Sequence, residues 1–381
     1  MANIRFLHTS DLQIGMTRWF LKDTEDAQAR FEAARKTAIT RLGEVAQKHD
    51  CAFIVVAGDV FEHNAISPTT LNRAIEELRQ LPVPVYLLPG NHDPLTADSV
   101  FYQAATAGNI HVFDTAEPID AAGIELIGVP WLSKKPSRDL VAEATRQLEP
   151  SSTIRVVVAH GQTENRGNDI MPELIGLDSL NKLVAAGAID YVALGDTHST
   201  MQVGPTGAIW YSGSPEVTDF KELPAGGGEI DSGNALVVNI TKTAAAQATV
   251  EVTPVQIGRW RFEALFMEVS SPHDIEEFIT TLKKYPRKDE TVVKYALRGT
   301  VDMTTRAYLE SEISQLKPLF ANLYPRSRTM DLTTTPTEDE IADMGFSGFA
   351  QKALSELSDS THPAAEDALA LLFHLQRSGK K

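Results

Sequence analysis

In the stretch "HTSDLQIG", residues 8–15, an acidic residue stands where a buried strand ought to end. The run before it, Ile4, Phe6 and Leu7, is short and apolar, as strands covered on both faces are. Asp11 follows that run, and a neutral amide, Gln13, stands two residues on. Taken alone, an aspartate after a strand is a turn residue or a helix cap. The same arrangement recurs, however. "AGDVFE" (57–62) places Asp59 and Glu62 after a second run, and "PGNHD" (89–93) places Asn91, His92 and Asp93 after a third. "AHG" (159–161) brings His160, and "LGDTHS" (194–199) brings Asp196 and His198. In open α/β sheets, ligands bind outside the carboxyl ends of the strands. Five such ends carrying carboxylates, amides and imidazoles, with no thiolate, suit hard or borderline divalent ions.

Outward from these tips, the first 258 residues repeat a rhythm of apolar run, polar tip and, in several cases, amphipathic helix. The runs are Ile4–Leu7, Phe53–Ala57, Val83–Leu88, Ile124–Val129, Ile154–Ala159, Tyr191–Leu194, Ala208–Tyr211 and Ala235–Ile240. Ala27, Phe31, Ala34, Ala38, Leu42 and Val45 share one helical face, and Ser67–Pro68 opens another helix through Leu71, Ile75 and Leu78. Strands alternating with helices predict a layered α/β domain over 1–258. The later runs, around "AGGGEIDSG" (225–233), read as a meander without helices. A smaller α+β module is expected over 259–335, with strands at Phe262–Val269, Thr291–Leu297 and Met330–Thr334 and helices from Ser271–Pro272 and over Thr304–Leu319. "TTTPTED" (333–339) reads as a linker to a helical tail over 336–381, with helices at Glu338–Leu357 and Pro363–Gln376.

The 381 residues exceed one ordinary core, and 43% are apolar, far from the disordered regime. One cysteine, Cys51, excludes an internal disulfide framework. No early apolar run is long enough to span a membrane and no leader pattern opens the chain, which predicts a soluble cytoplasmic protein with no membrane partner. A net charge of −16 argues against casual, charge-driven binding to nucleic acid. Residues 259–328 run the other way, with 12 Lys and Arg against 10 Asp and Glu.

Ordered as D-x-Q, GD-x-x-E, GNHD, HG and GD-x-H, these motifs resemble those of the calcineurin-like metallophosphoesterases. "HTSD", "GDVFE", "LPGNHD" and "YSGSPE" (211–216) are similar, more narrowly, to the SbcD-type nuclease subunits of that family. The resemblance implies an α/β/β/α layered fold with a smaller α+β cap domain. It implies two divalent ions, Mn²⁺ first, with Mg²⁺ or Fe²⁺ as alternatives. Asp59 would bridge them; Asp11, Gln13 and His198 would complete one site, and Asn91, His160 and Asp196 the other. His92 would face the scissile phosphate and Glu62 would orient it, with His8 a structural neighbour. The sequence departs from the family at Gln13 and Asp196, where histidines are usual.

The reading that follows is a metal-dependent DNA nuclease, an exonuclease and in the wider reading also an endonuclease, acting in double-strand-break repair. Arg259, Arg261, Lys283, Lys284, Arg287 and Lys288 would touch backbone phosphates, or form only a solvated helix end. An SbcC-like coiled-coil ATPase partner is implied, with a homodimer inside a heterotetramer. The apolar stripe Ala365, Ala368, Leu369, Leu372 and Phe373 would dock that partner or pack on its own domain. Two rival readings keep the fold: a small-molecule phosphodiesterase or phosphatase, and a catalytically weak scaffold subunit. Gln13 is expected to reach the pocket of Asp11 through an extended local chain.

Overall fold

The structure is a computed structural model, and it describes all residues except 1, 23, 107, 165–170, 172, 244–246, 336, 338–347, 363, 366–367 and 369–381. The chain divides into two compact units, Met1–Asp219 with Glu229–Trp260, and Phe220–Gly228 with Arg261–Lys381.

The strands of the first unit are β1 (Ala2–Thr9), β2 (Ile54–Val56), β3 (Val85–Leu87), β4 (Ile110–Val112), β5 (Ile119–Ala121), β6 (Ile124–Gly128), β7 (Arg155–His160), β8 (Tyr191–Gly195), β9 (Met201–Gln202) and β10 (Ile209–Tyr211). After β11 (Lys221–Leu223), which belongs to the second unit, come β12 (Asn234–Lys242) and β13 (Thr249–Gln256). Two six-stranded sheets form, in the orders β13-β12-β1-β2-β3-β4 and β5-β6-β7-β8-β10-β9. The strands β1 to β4 run parallel, as do β6, β7, β8 and β10.

Alternate residues of each strand serve different layers. Phe6, Val55, Tyr86 and Val238 of one sheet meet Leu126, Val156, Val158, Tyr191 and Ala193 of the other in a buried inter-sheet core. Leu7, Ile54, Val56, Val85 and Leu87 face the opposite way, onto the helices Ala27–Lys48 and Pro68–Arg79. Ile127, Val157, Val192 and Ile209 pack on Val141, Leu180 and Val184 of the helices Leu140–Thr145 and Leu177–Ala185. The unit is therefore layered α/β/β/α, and its runs show no polar alternation because both faces of each central strand are covered. Ser67 caps the helix at Pro68, its hydroxyl accepting from the Thr70 N–H at 3.1 Å.

The second unit adds β14 (Arg261–Val269), β15 (Thr291–Val301), β16 (Asn322–Pro325) and β17 (Asp331–Thr334) to β11. The order is β11-β14-β15-β16, with β17 also pairing β15, and every pairing is parallel. Helices Pro272–Lys284 and Met303–Leu316 cover it through Ile275, Phe278, Leu282 and Leu309. Pro272 sits at the start of the first of these, and Asp274 accepts from the Ser271 N–H at 2.8 Å, closing a capping box.

The meander expected around 225–233 is not what forms. Phe220–Gly228 leaves the first unit and places β11 beside β14, so only β12 and β13 build an antiparallel hairpin next to β1. Of the expected tail, the helix Phe349–Ser358 is described; residues 338–347, most of Pro363–Gln376 and most of the proposed docking stripe lie outside the described residues.

Candidate metal centre

At the carboxyl ends of β1, β2, β3, β7 and β8 the chain turns sharply, and the turn residues carry the polar groups. Asp11, Gln13, Asp59 and Asp196 all adopt positive φ, at 53°, 41°, 52° and 96°. The left-handed region is costly for a residue with a Cβ, so strong local contacts must hold these four there. Main-chain bonds supply them at the first three, where Asp11 N–H donates to Gly58 O at 3.0 Å and Gln13 N–H to Asp59 O at 2.9 Å. Gly58, at φ 93°, and Gly90 leave no room for a side chain. A Cβ at Gly58 would lie 2.1 Å from His160 Nδ1, and one at Gly90 would lie 2.3 Å from Asp59 Oδ1.

The turn at Asp11–Gln13 corrects one expectation. The local chain is not extended there, because both residues are left-handed. Gln13 still enters the pocket. It is 2% exposed, and its Nε2 lies 3.3 Å from His198 Nε2.

Around Asp59 the groups converge. Its Oδ1 is 3.4 Å from His160 Nε2 and accepts from the His92 N–H at 3.0 Å; its Oδ2 is 4.0 Å from His92 Nε2. His160 Nε2 is 2.7 Å from Asn91 Oδ1 and 3.8 Å from Asp196 Oδ1. Asp11 Oδ1 is 3.8 Å from His198 Nε2, and the Asp196 N–H donates to Asp11 Oδ2 at 3.2 Å. One ligand atom each from Asp11, Asp59 and His160 lies within 4.8 Å of the others.

The outer nitrogens of the imidazoles show how each ring is held. His160 Nδ1 lies 2.9 Å from the Ala57 carbonyl, which can only accept, so Nδ1 carries the hydrogen and a neutral ring turns a lone pair inward at Nε2. His92 Nδ1 donates in the same way to the Glu62 carbonyl at 3.0 Å. The contact from residue 62 is thus made by its main chain, which any residue there would supply. The carboxylate atom Glu62 Oε2 is buried without a hydrogen-bond partner. His198 Nδ1 lies 2.5 Å from Thr218 Oγ1, which in turn donates to Glu229. His8 is held between the sheets by Tyr191 Oη at 3.0 Å and Leu194 O at 3.2 Å.

Electrostatically, the cluster calls for positive charge. Burial raises the pKa of Asp11, although His198 and His160 work against it. Burial pulls the His160 imidazole down, yet the Asp59, Asp11 and Asp196 carboxylates hold it well above its ordinary value. For His198, burial is again outweighed, here by Glu229 and Asp11. Two buried oxygens, Gln13 Oε1 and Asp196 Oδ2, have no hydrogen-bond partner. Clustered carboxylates, inward-facing imidazole nitrogens and two orphaned oxygens, one amide and one carboxylate, are the donor set a hard or borderline divalent cation takes. The residues present fit such an ion.

Further residues hold this centre: Asp93 and the "YSGSPE" loop lie within quoted motifs, whereas Arg35 carries no readable signal in the sequence. Asp93 is fully buried and pins two loops, accepting from Phe61 N–H and Gly90 N–H at 2.8 Å each. Burial and the nearby Asp59 charge push its carboxyl up to about 8. Arg35 is 3% exposed and donates to Leu12 O at 2.8 Å, Asp11 O at 3.2 Å and Val217 O at 3.0 Å. It clamps the Asp11 turn to the "YSGSPE" loop, whose Ser214 hydroxyl also donates to Asp11 O at 2.8 Å. Glu216 of that loop accepts from the Arg259 N–H and Trp260 N–H, both at 2.9 Å.

Residues 4–221 match the family described as calcineurin-like phosphoesterase. The chain belongs to this family. Its similar relatives include the DNA double-strand break repair protein Mre11 of Archaeoglobus fulgidus, 27% identical over 58% of this chain and 52% of that protein. The uncharacterized metallophosphoesterase YhaO of Bacillus subtilis is 23% identical over 58% of this chain and 55% of its own length. The chain thus spans about half the length of these two relatives. A subunit of nuclease SbcCD from Escherichia coli K12 is 24% identical over 68% of this chain and 74% of that protein. Among solved structures, a Thermus thermophilus protein aligns with a TM-score of 0.41 at 12% identity, over 67% of this chain and 100% of that one. The family is one of phosphoesterases, hydrolases of phosphoester bonds. Among the described residues, no helix is long and apolar enough to cross a membrane.

Proposed function

We propose that this protein is a metal-dependent nuclease that hydrolyses phosphodiester bonds in DNA. The observation that carries the reading is the convergence of eight side chains from five strand ends, in a chain similar to Mre11 and to a subunit of nuclease SbcCD. Asp59 would serve both ions, with Asp11, Gln13 and His198 holding one and Asn91, His160 and Asp196 the other. Bound there, two divalent ions, Mn²⁺ by this donor set, supply Lewis acidity and an activated water.

The rest is done by the chain. His92, its side chain 37% exposed, stands more open than His160 or Asp59. Its Nδ1–H is fixed on the Glu62 carbonyl, which leaves Nε2 to carry a second proton and deliver it to the leaving oxygen. Asp59 Oδ2 lies 4.0 Å from that nitrogen. No cysteine nucleophile competes, since Cys51 is buried in the helix-side core and burial pushes its thiol up to about 11. By likeness to a relative named as one subunit of SbcCD, a coiled-coil ATPase is the proposed partner, joined to a homodimer of this chain.

The test offers Mn²⁺-loaded protein linear duplex DNA, hairpin DNA and a small phosphodiester. DNA cleavage is the expected result; cleavage of the small diester alone would assign a small-molecule phosphodiesterase. His92→Ala should lower turnover by about 10²–10⁴-fold while both ions remain bound, measured by kinetics beside metal analysis.

A further inference from the structure

Trp131 has no part in the roles above, yet three hydrogen bonds tie it to the metal centre. Its indole Nε1–H donates to the His160 carbonyl at 2.7 Å. Its main-chain N–H donates to Pro89 O at 3.1 Å, and its own carbonyl accepts from the Leu95 N–H at 2.8 Å. Pro89 and Leu95 bracket Asn91 and His92 in sequence. The residue is 8% exposed, and its ring stands edge-on to the His160 imidazole, centroids 6.0 Å apart at 84°. One residue therefore joins the segment that carries Asn91 to the segment that carries His160, and those two side chains meet at 2.7 Å. The three bonds end on these two segments, not on the Asp11–Gln13 turn or the His198 loop.

We propose that Trp131 is a positioning residue for the Asn91/His160 half of the metal centre, its indole N–H holding the His160 main chain in register with the GNHD loop. The proposal rests on the two-ion reading above. A residue that only filled space would be replaced by another large ring at little cost to one site in particular. A residue that sets the spacing of Asn91 and His160 acts on one ion of the two. Partners that orient metal ligands typically change affinity by roughly 10–100-fold when removed.

Trp131→Phe keeps an aromatic ring and both main-chain bonds and removes the N–H donor together with part of the indole's bulk, whereas 3-benzothienylalanine removes the N–H alone. Calorimetric titration with Mn²⁺ of the full chain, the variant and Asn91→Ala makes the test. The binding event that Asn91→Ala abolishes should weaken by roughly 10–100-fold in Trp131→Phe, the other event staying within about twofold. Equal weakening of both events, or of neither, overturns the proposal. A parent that binds fewer than two ions overturns the two-ion reading itself and takes this proposal with it. Should Trp131→Phe fail to fold, incorporation of 3-benzothienylalanine at 131, which exchanges the N–H for sulfur in a near-identical ring, makes the same comparison.

Discussion

Gln13 brings a neutral amide into a cluster of carboxylates and imidazoles, and its Oε1 is buried without a hydrogen-bond partner. An amide oxygen is a weaker donor than an imidazole and adds no charge, so the ion held by Asp11, Gln13 and His198 should bind more weakly than its neighbour. Gln13→His should tighten that site and shift its preference toward Fe²⁺, Co²⁺ or Zn²⁺, which favour nitrogen. Two equally tight sites in the parent, or an unchanged titration in the variant, would reduce Gln13 to a turn residue. The polar tips were legible because Asp, Asn and His at five strand ends are improbable as turns alone. What holds them was not. Thr218 and Glu229 flank His198 from a distant loop, and nothing in "GGGEID" marks that carboxylate as buried. Arg35 sits on the buried face of its helix, where apolar periodicity looks only for residues such as Phe31 and Ala38.

Between elements, His8 joins the sheets, linking β1 to Tyr191 and Leu194 of β8. Its Nε2–H donates to the Leu194 carbonyl and its Nδ1 accepts from the Tyr191 hydroxyl, a neutral ring with both nitrogens satisfied. Burial lowers its pKa to about 3. The unfolded chain takes up a proton near pH 6.5 that the folded chain refuses until about pH 3. Stability from this group is therefore fully present above pH 6.5 and is lost as pH falls through that window, on the order of 5 kcal/mol in all. In urea melts between pH 7 and 4, His8→Asn should show a shallower loss of stability than the parent. Parallel pH profiles would mean that His8 is protonated in the folded state. The central strands were readable from the sequence since coverage on both faces demands unbroken apolar runs. The strands β4, β5 and β13 lie toward sheet edges, and β13 alternates half-buried and exposed residues around Pro254, so no such run announces them.

For the whole molecule, the path of the chain matters more than the boundary near residue 260. The chain leaves the first unit at Asp219, contributes β11 to the second, and returns at Glu229. In the second unit Phe220 is 5% exposed, its ring 5.6 Å from Phe262 with Lys294 Nζ 4.0 Å above it. A chain cut after Trp260 loses β14, and with it the partner of β11 and the cover of Phe220. Uncovering one such ring costs about 1.5–3 kcal/mol and leaves an unpaired strand edge, a template for association. The two ends of the excursion are already close, the Asp219 N–H donating to Glu229 Oε2 at 2.8 Å, so a short linker can join them. Residues 1–260 with 220–228 intact should therefore associate on size-exclusion chromatography. The same fragment with a short Gly-Ser linker in place of 220–228 should run as a smaller species and still bind Mn²⁺, because Thr218 and Glu229 keep their hold on His198. If the two fragments behave alike, an uncovered β11 does not drive association of the isolated first unit.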